Sequence, residues 1–194
     1  MNEYNLSTNS NSEQYKQILF TKDQIVNKVH EMASNIVRTY DSKRTVFICI
    51  LNGGLPFSVM LMQAIESIDP SYNPNLQTIY VSRYAEQRMA GEIQVINDLT
   101  KKYKNLTGKD IIILDDLIDE GGTIEFLQKH VSGYGAESVH AYVLVKKDKK
   151  ATTNNNVTYG FNAPDKWLTG MGMDDARLGV EANRWAPWIA LAND

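Results

Sequence analysis

The run TVFICIL at 45–51 is apolar after its first residue and rich in β-branched side chains. A strand with one wet face alternates polar and apolar residues, so a run without alternation is covered on both faces. IIIL (111–114) and SVHAYVLV (138–145) read the same way. LQTIYVS (76–82) and EIQVI (92–96) are further strand candidates, suited to a hairpin around a long connection. Helical stretches lie between them. Thr21, with Gln24 three residues on, makes a capping box for a helix ending near Asp41. Its apolar stripe is Ile25, Val26, Val29, Met32, Ala33, Ile36 and Val37. A second helix fits Leu55 to Ile68, with Pro56 in its first turn, and a third fits 124–133, capped by Thr123. Buried strands separated by helices imply right-handed βαβ units and a mostly parallel twisted sheet, an α/β fold.

The chain has 194 residues, 43% of them hydrophobic and 22% charged, which suits a single domain with a real core. Residues 1–17 are polar and rich in Asn and Ser and are expected to be a flexible N-terminus; 18–194 are expected to form the domain. A formal net charge of -3 argues against a dedicated nucleic-acid binder, but small phosphorylated ligands need only local positive charge. The one cysteine, Cys49, lies inside TVFICIL and reads as a small buried hydrophobe. No apolar run reaches membrane-spanning length and the polar start has no signal-peptide core, so a cytoplasmic protein is expected.

In open α/β sheets, ligands bind beyond the carboxyl ends of the strands. Two unusual stretches sit there. One is Asn52-Gly53-Gly54. The other follows IIIL and reads LDDLIDEGGT (114–123). Four acids in six positions cost stability unless something cationic or hydroxyl-rich meets them. Gly121 and Gly122 let backbone amides approach a ligand, and the helix starting at Thr123 favours an anion at its N-terminus. Asp115 and Asp116 suit sugar hydroxyls or a divalent cation. A phosphorylated ribose satisfies both halves. A paired-acid magnesium site in a doubly wound regulator, or a plain solvated turn, remains open from these residues alone.

LDDLIDEGGT resembles the phosphoribosyl-pyrophosphate signature of type I phosphoribosyltransferases: strand, two acids, then an Asp-x-Gly-x-Thr turn and a helix. ILNGGLPFSVMLM (50–62), SRYAEQRMAGEIQVI (82–96), VLVKKD (143–148) and DKWLTGMGMD (165–174) resemble the first loop, mobile loop and purine-binding segments of the hypoxanthine-guanine branch. The resemblance covers most of residues 45 to 175 and implies a small hood formed from the C-terminal part. It also implies a homo-oligomer, dimer or tetramer, acting on phosphoribosyl pyrophosphate and a 6-oxopurine with Mg2+, with no nucleic-acid or membrane partner.

By that resemblance, Asp115 and Asp116 would meet the ribose hydroxyls near the magnesium. Asp119 would be the acid beside the purine N7. Glu120, Gly121, Gly122 and Thr123 would hold the 5′-phosphate. Asn52 and Gly53 would hold pyrophosphate, at a loop where the family often has a non-proline cis peptide. Lys146 would donate to the purine 6-oxo group, Trp167 would stack on the base, and Leu168 would meet it through backbone groups. Asp174 would bind a second magnesium. Lys166 and either Arg177 or Arg184 would assist at pyrophosphate, and Arg83 and Tyr84 belong to the mobile loop. His30, His130 and His140 read as structural.

Some positions depart from the family pattern. Asn52 stands where many relatives have a basic residue, Glu120 where Thr is common, Gly122 where a larger or basic residue is common, and Arg83-Tyr84 where Ser-Tyr is common. The arginine expected shortly after Asp174 is not at its usual offset. A transferase for xanthine or a pyrimidine, or a non-catalytic nucleotide-sensing regulator of the same fold, is the alternative. The sequence does not rank hypoxanthine, guanine and xanthine.

Overall fold

The computed structural model describes residues 15–83, 93–149, 156–175 and 182–192. The chain runs β1 (Tyr15–Phe20), α1 (Lys22–Thr39), β2 (Thr45–Leu51), α2 (Leu55–Ile68), β3 (Asn75–Arg83), β4 (Ile93–Asn97) and β5 (Asp110–Ile118). It continues through α3 (Gly122–Ser132), β6 (Ser138–Lys147), β7 (Val157–Ala163), β8 (Leu168–Thr169) and β9 (Ile189–Ala192). Six strands form one mixed sheet in the order β4-β3-β2-β5-β6-β7. Every pairing in it is parallel except the β3–β4 hairpin.

The unalternating strands are buried on both faces, as their composition requires. On β2 and β5, Phe47, Ile112 and Leu114 face α1 and α2, joining Ile25, Val29, Phe57, Leu61 and Ile65 in one core. Val46, Ile48, Ile50, Ile111 and Ile113 face the other way, against Leu127 and Val131 of α3. Each such side chain contributes about 1.5–3 kcal/mol by leaving water. α1 begins at the expected capping box: Gln24 N–H donates to Thr21 Oγ1 (3.4 Å) and Thr21 N–H to Gln24 Oε1 (2.9 Å). Such a cap is worth about 1 kcal/mol.

Three expectations need correction. β5 does not stop at Leu114; it runs on through both acids because β6 keeps offering partners, Leu117 to Val145 and Ile118 to Lys146. Thr123 is not the cap of α3. Gly121 is, at φ 87°, a left-handed conformation that costs glycine little, and Thr123 sits inside the first turn. The hood is not built from the C-terminal part alone. It is a three-stranded sheet, β1-β9-β8, in which Tyr15 pairs with Ala192 and Leu168 with Leu191. Residues 15–17, expected to be part of a flexible tail, therefore belong to a strand; residues 1–14 lie outside the described residues. Among the described residues no helix is long and apolar enough to cross a membrane.

Candidate active site

At the carboxyl ends of β5 and β6 a cavity of about 330 Å³ opens beneath the hood. β5 supplies Asp115, Asp116 and Leu117, and Asp119 follows in the turn. Gly53 enters from the β2–α2 loop and Lys147 from the last position of β6. The hood closes the other side with Trp167, Leu168, Gly172, Met173, Asp174 and Arg184.

The floor is packed without slack. A Cβ on Gly53 would lie 2.7 Å from both carboxylate oxygens of Asp116. One on Gly172, at φ 110°, would lie 2.1 Å from the Gly53 carbonyl oxygen and 2.8 Å from Asp116 Cβ. Asp116 is thus wedged between two glycines from segments about 120 residues apart in sequence, and only hydrogen fits at either. The Leu51–Asn52 peptide beside it is cis. Asp115 is buried, and its Oδ1 accepts from Asp116 N–H at 3.1 Å. Burial, and then the negative charge of Asp116, push the Asp115 carboxyl well above the ordinary carboxylate range. Burial also raises Asp116, against hydrogen bonding from Asp115 and the charge of Arg184.

Asp119 is in the opposite state. Lys147 Nζ donates to Oδ2 at 3.2 Å, and Lys149 Nζ lies 2.7 Å from Oδ1. Burial alone would raise this carboxyl, but the two lysines outweigh it and hold it below the usual range. Asp119 is therefore an anion at neutral pH.

Lys146, the lysine expected at the purine, does not reach the cavity. Its Nζ lies 5.3 Å over the Tyr159 ring on β7. Consecutive strand residues point to opposite faces, so of two adjacent lysines only one can face the site. Lys147 does, with only 9% of its side chain exposed. SVHAYVLVKK is covered on both faces over most of its length, so its sequence does not tell which lysine faces the site. Lys149 carried no signal either, because it lies past the strand end. Arg184 also reaches the site, with Nη2 3.1 Å from Asp174 Oδ1 and Nη1 donating to the Gly172 carbonyl. Of the two arginines left open, Arg177 lies outside the described residues.

The remaining residues fall around this centre. Leu168 is buried in β8 and Trp167, half exposed, stands at the cavity edge. Asn52 is exposed beside Gly53, and Lys166 is exposed ahead of Trp167. Glu120 is exposed in the turn; Gly121, Gly122 and Thr123 are partly buried where α3 opens, past Asp119 and outside the cavity lining. Arg83 ends β3, and Tyr84 lies outside the described residues.

A family model for the phosphoribosyl transferase domain matches residues 15–176. The chain belongs to the phosphoribosyl transferase domain family. A hypoxanthine-guanine phosphoribosyltransferase of Dictyostelium discoideum is 31% identical over 164 residues, 83% of this chain and 88% of that one. One from Streptococcus thermophilus is 27% identical over 161 residues, 82% and 85% of the two chains. The crystal structure of a hypoxanthine-guanine phosphoribosyltransferase of Bacillus anthracis superimposes with a TM-score of 0.78 at 26% identity, covering 93% of this chain and 100% of that one. A hypoxanthine phosphoribosyltransferase of Staphylococcus aureus shares the fold, with a TM-score of 0.81 at 23% identity and 94% coverage of each chain.

For a phosphoribosyltransferase of this family the donor set bears on magnesium. Among the described residues no three carboxylates, imidazoles or thiolates converge as an all-protein cage. Asp115, buried, and Asp116, partly buried, are nevertheless two adjacent carboxyls of like charge whose ionisation a cation would relieve. That set fits Mg2+ held by one or two carboxylates with the remaining positions filled by substrate oxygens and water.

Proposed function

We propose that the protein transfers the 5-phosphoribosyl group from phosphoribosyl pyrophosphate to N9 of a 6-oxopurine, hypoxanthine or guanine, releasing pyrophosphate and giving IMP or GMP. The reading rests on the ionised Asp119, paired with Lys147 in a cavity at the strand ends. Lys147 donates to the purine 6-oxo group and Trp167 covers the ring face. The Asp119 carboxylate takes the N7 proton as the N9 lone pair bonds to C1′. The C1′–O bond breaks and its electron pair leaves with pyrophosphate. Asp115 and Asp116 accept hydrogen bonds from the ribose hydroxyls. The amides opening α3, with Thr123, hold the 5′-phosphate. Asn52, Gly53 and Arg184 meet pyrophosphate; Arg184 supplies a positive charge on the side where Asn52 offers none. Asp115, Asp116 and Asp174 would hold Mg2+ together with substrate oxygens, and the ion would supply positive charge to the departing pyrophosphate. The hood, with Arg83 and Tyr84 from the β3–β4 connection, keeps water from the reactive sugar.

The same reading carries a homo-oligomer, dimer or tetramer, and a cytoplasmic location. Its test is mononucleotide formation from phosphoribosyl pyrophosphate and Mg2+ with hypoxanthine, guanine, xanthine, adenine and uracil offered separately, beside Asp119→Asn. Turnover of hypoxanthine or guanine, with kcat lowered about 10²- to 10⁴-fold in the variant, supports it. Turnover of xanthine or uracil alone moves the specificity. No turnover while phosphoribosyl pyrophosphate still binds makes the protein a regulator.

A further inference from the structure

Asp119 is already occupied before any purine arrives. Lys147 holds Oδ2, and Lys149 sits 2.7 Å from Oδ1. Oδ1 is cut off from solvent, and Lys149 meets it at 2.7 Å without the alignment of a well-directed hydrogen bond. A buried acceptor of that kind calls for a well-directed donor, and the purine N7–H is one. To receive it, Asp119 must loosen one ammonium group. Lys147 has little room to move, fixed on β6 with its side chain 9% exposed. Lys149 lies beyond the strand end with 30% of its side chain exposed. A second acceptor is already in place for it, Asp165 Oδ1 at 3.1 Å. Asp165 opens the segment that leads to Trp167 and Leu168, so Lys149 stands between the catalytic turn and the entrance to the hood.

We propose that Lys149 is a positioning residue that alternates between Asp119 and Asp165, resting on the catalytic carboxylate without purine and withdrawing to Asp165 as the purine N7–H takes its place. This rests on the phosphoribosyl-transfer reading. Withdrawal leaves Asp119 Oδ1 free to accept the N7 proton, and it leaves Lys149 neutralised by Asp165 rather than stranded. The other charged groups around the turn include Glu120 beside Asp119, Lys147 and Asp148 at the end of β6, Asp115 and Asp116 from β5, and the Asp174–Arg184 pair from the hood. Lys149 Nζ stands within ion-pair distance of Asp119 at 2.7 Å and of Asp165 at 3.1 Å.

The test is steady-state kinetics on wild type, Lys149→Met, Asp165→Asn and the double variant, with purine and phosphoribosyl pyrophosphate varied separately. Asp165→Asn strands Lys149 on Asp119 and is expected to raise the purine KM roughly three- to tenfold. Lys149→Met removes the competitor and is expected to lower it roughly two- to fivefold, the range of a partly exposed ion pair. In the Lys149→Met background Asp165→Asn is expected to have no further effect, and KM for phosphoribosyl pyrophosphate is expected to stay within about twofold throughout. Lys149→Arg, which keeps the charge, should keep the sensitivity to Asp165→Asn. A merely structural pair would move both single variants in the same direction, or move both KM values together. Either result, with wild type turning over, overturns the proposal and leaves the transfer reading intact; wild type without turnover on any purine overturns both.

Discussion

Asp115 and Asp119 are four residues apart and line one cavity, yet their environments are opposite. Asp115 is buried beside another carboxyl, and its pKa is raised by burial and like charge. Asp119 is half exposed between two lysines, and its pKa is held down. In the proposed reaction the difference divides their work. A carboxyl without a protein cation is built for a partner that arrives with the ligand, whether hydroxyl or metal. A carboxylate with its own cations is an anion at every working pH and can take a proton when one is offered. Sequence position alone does not separate them; what separates them is that β5 keeps Asp115 inside the sheet while the turn hands Asp119 to the end of β6.

The largest effect is expected from breaking the floor on which the acid pair rests. Gly172→Ala places a methyl carbon against the Gly53 carbonyl and Asp116 at a left-handed φ. Overpacking and backbone strain together cost about 2–4 kcal/mol, and the misplaced Asp116 abolishes turnover. Gly108→Ala is the internal control. It shares a positive φ of 71° but has nothing within 4 Å of the added carbon. Urea denaturation is expected to show only the conformational cost there, about 1 kcal/mol, with activity kept. Equal losses at the two glycines would mean that the close packing at the site carries no weight of its own.

On the lysine side, Lys147→Met and Lys146→Met make a matched pair one residue apart. The first removes the donor that reaches Asp119, the one assigned to the purine in the proposed reaction, and kcat/KM for the purine is expected to fall about 10- to 100-fold. The second removes a cation that lies over Tyr159 and is expected to change it less than about twofold. The reverse ranking would return Lys146 to the site and overturn the strand register.

The strands that hold these residues were legible because their signals are local. TVFICIL, the capping box at Thr21 and Gln24, and the acid-glycine turn each report on residues a few positions apart. Errors arose where distant segments decide. The length of β5 is set by β6, more than 20 residues on. The hood needs Tyr15 beside Ala192, and a pairing across most of the chain leaves no local trace in a polar, Asn-rich start. The motif names Asp115, Asp116 and Asp119, which line the cavity, but points to Lys146 where Lys147 lines it, because a motif fixes neighbours in sequence but not which face of a strand they share.

A smaller effect is expected from neutralising the buried side. Asp115→Asn removes one of two adjacent like charges, the more deeply buried one. Without ligand, the variant is expected to be about 1 kcal/mol more stable than wild type by thermal melting at neutral pH, while its affinity for phosphoribosyl pyrophosphate with Mg2+ falls. Lower stability without ligand would show that Asp115 is already neutralised in the resting protein and would erase the contrast with Asp119.

The smallest effect is a displacement of the pH profile, and its sign follows from the lysine clamp. Asp119 titrates below its ordinary value, so it is still ionised where a free carboxylate has begun to take up protons. The stability it contributes is present above the unfolded-state value and is lost as pH falls through the lower folded value. Catalysis by the ionised form follows the same limb, so the acid side of kcat/KM is expected to lie below the ordinary aspartate range. Lys149→Met takes away the cation that does most to hold Asp119 down while leaving Lys147 in place, so the limb should move up in pH, toward the ordinary value. Lys147→Met should move it the same way on top of its larger loss of rate. Lys146→Met should leave it where it is, because that ammonium lies over Tyr159. A limb that stays fixed in both Lys147 and Lys149 variants would mean that the titrating acid in catalysis is not Asp119, and the division of labour between the two carboxyls would have to be redrawn from the Asp115 side.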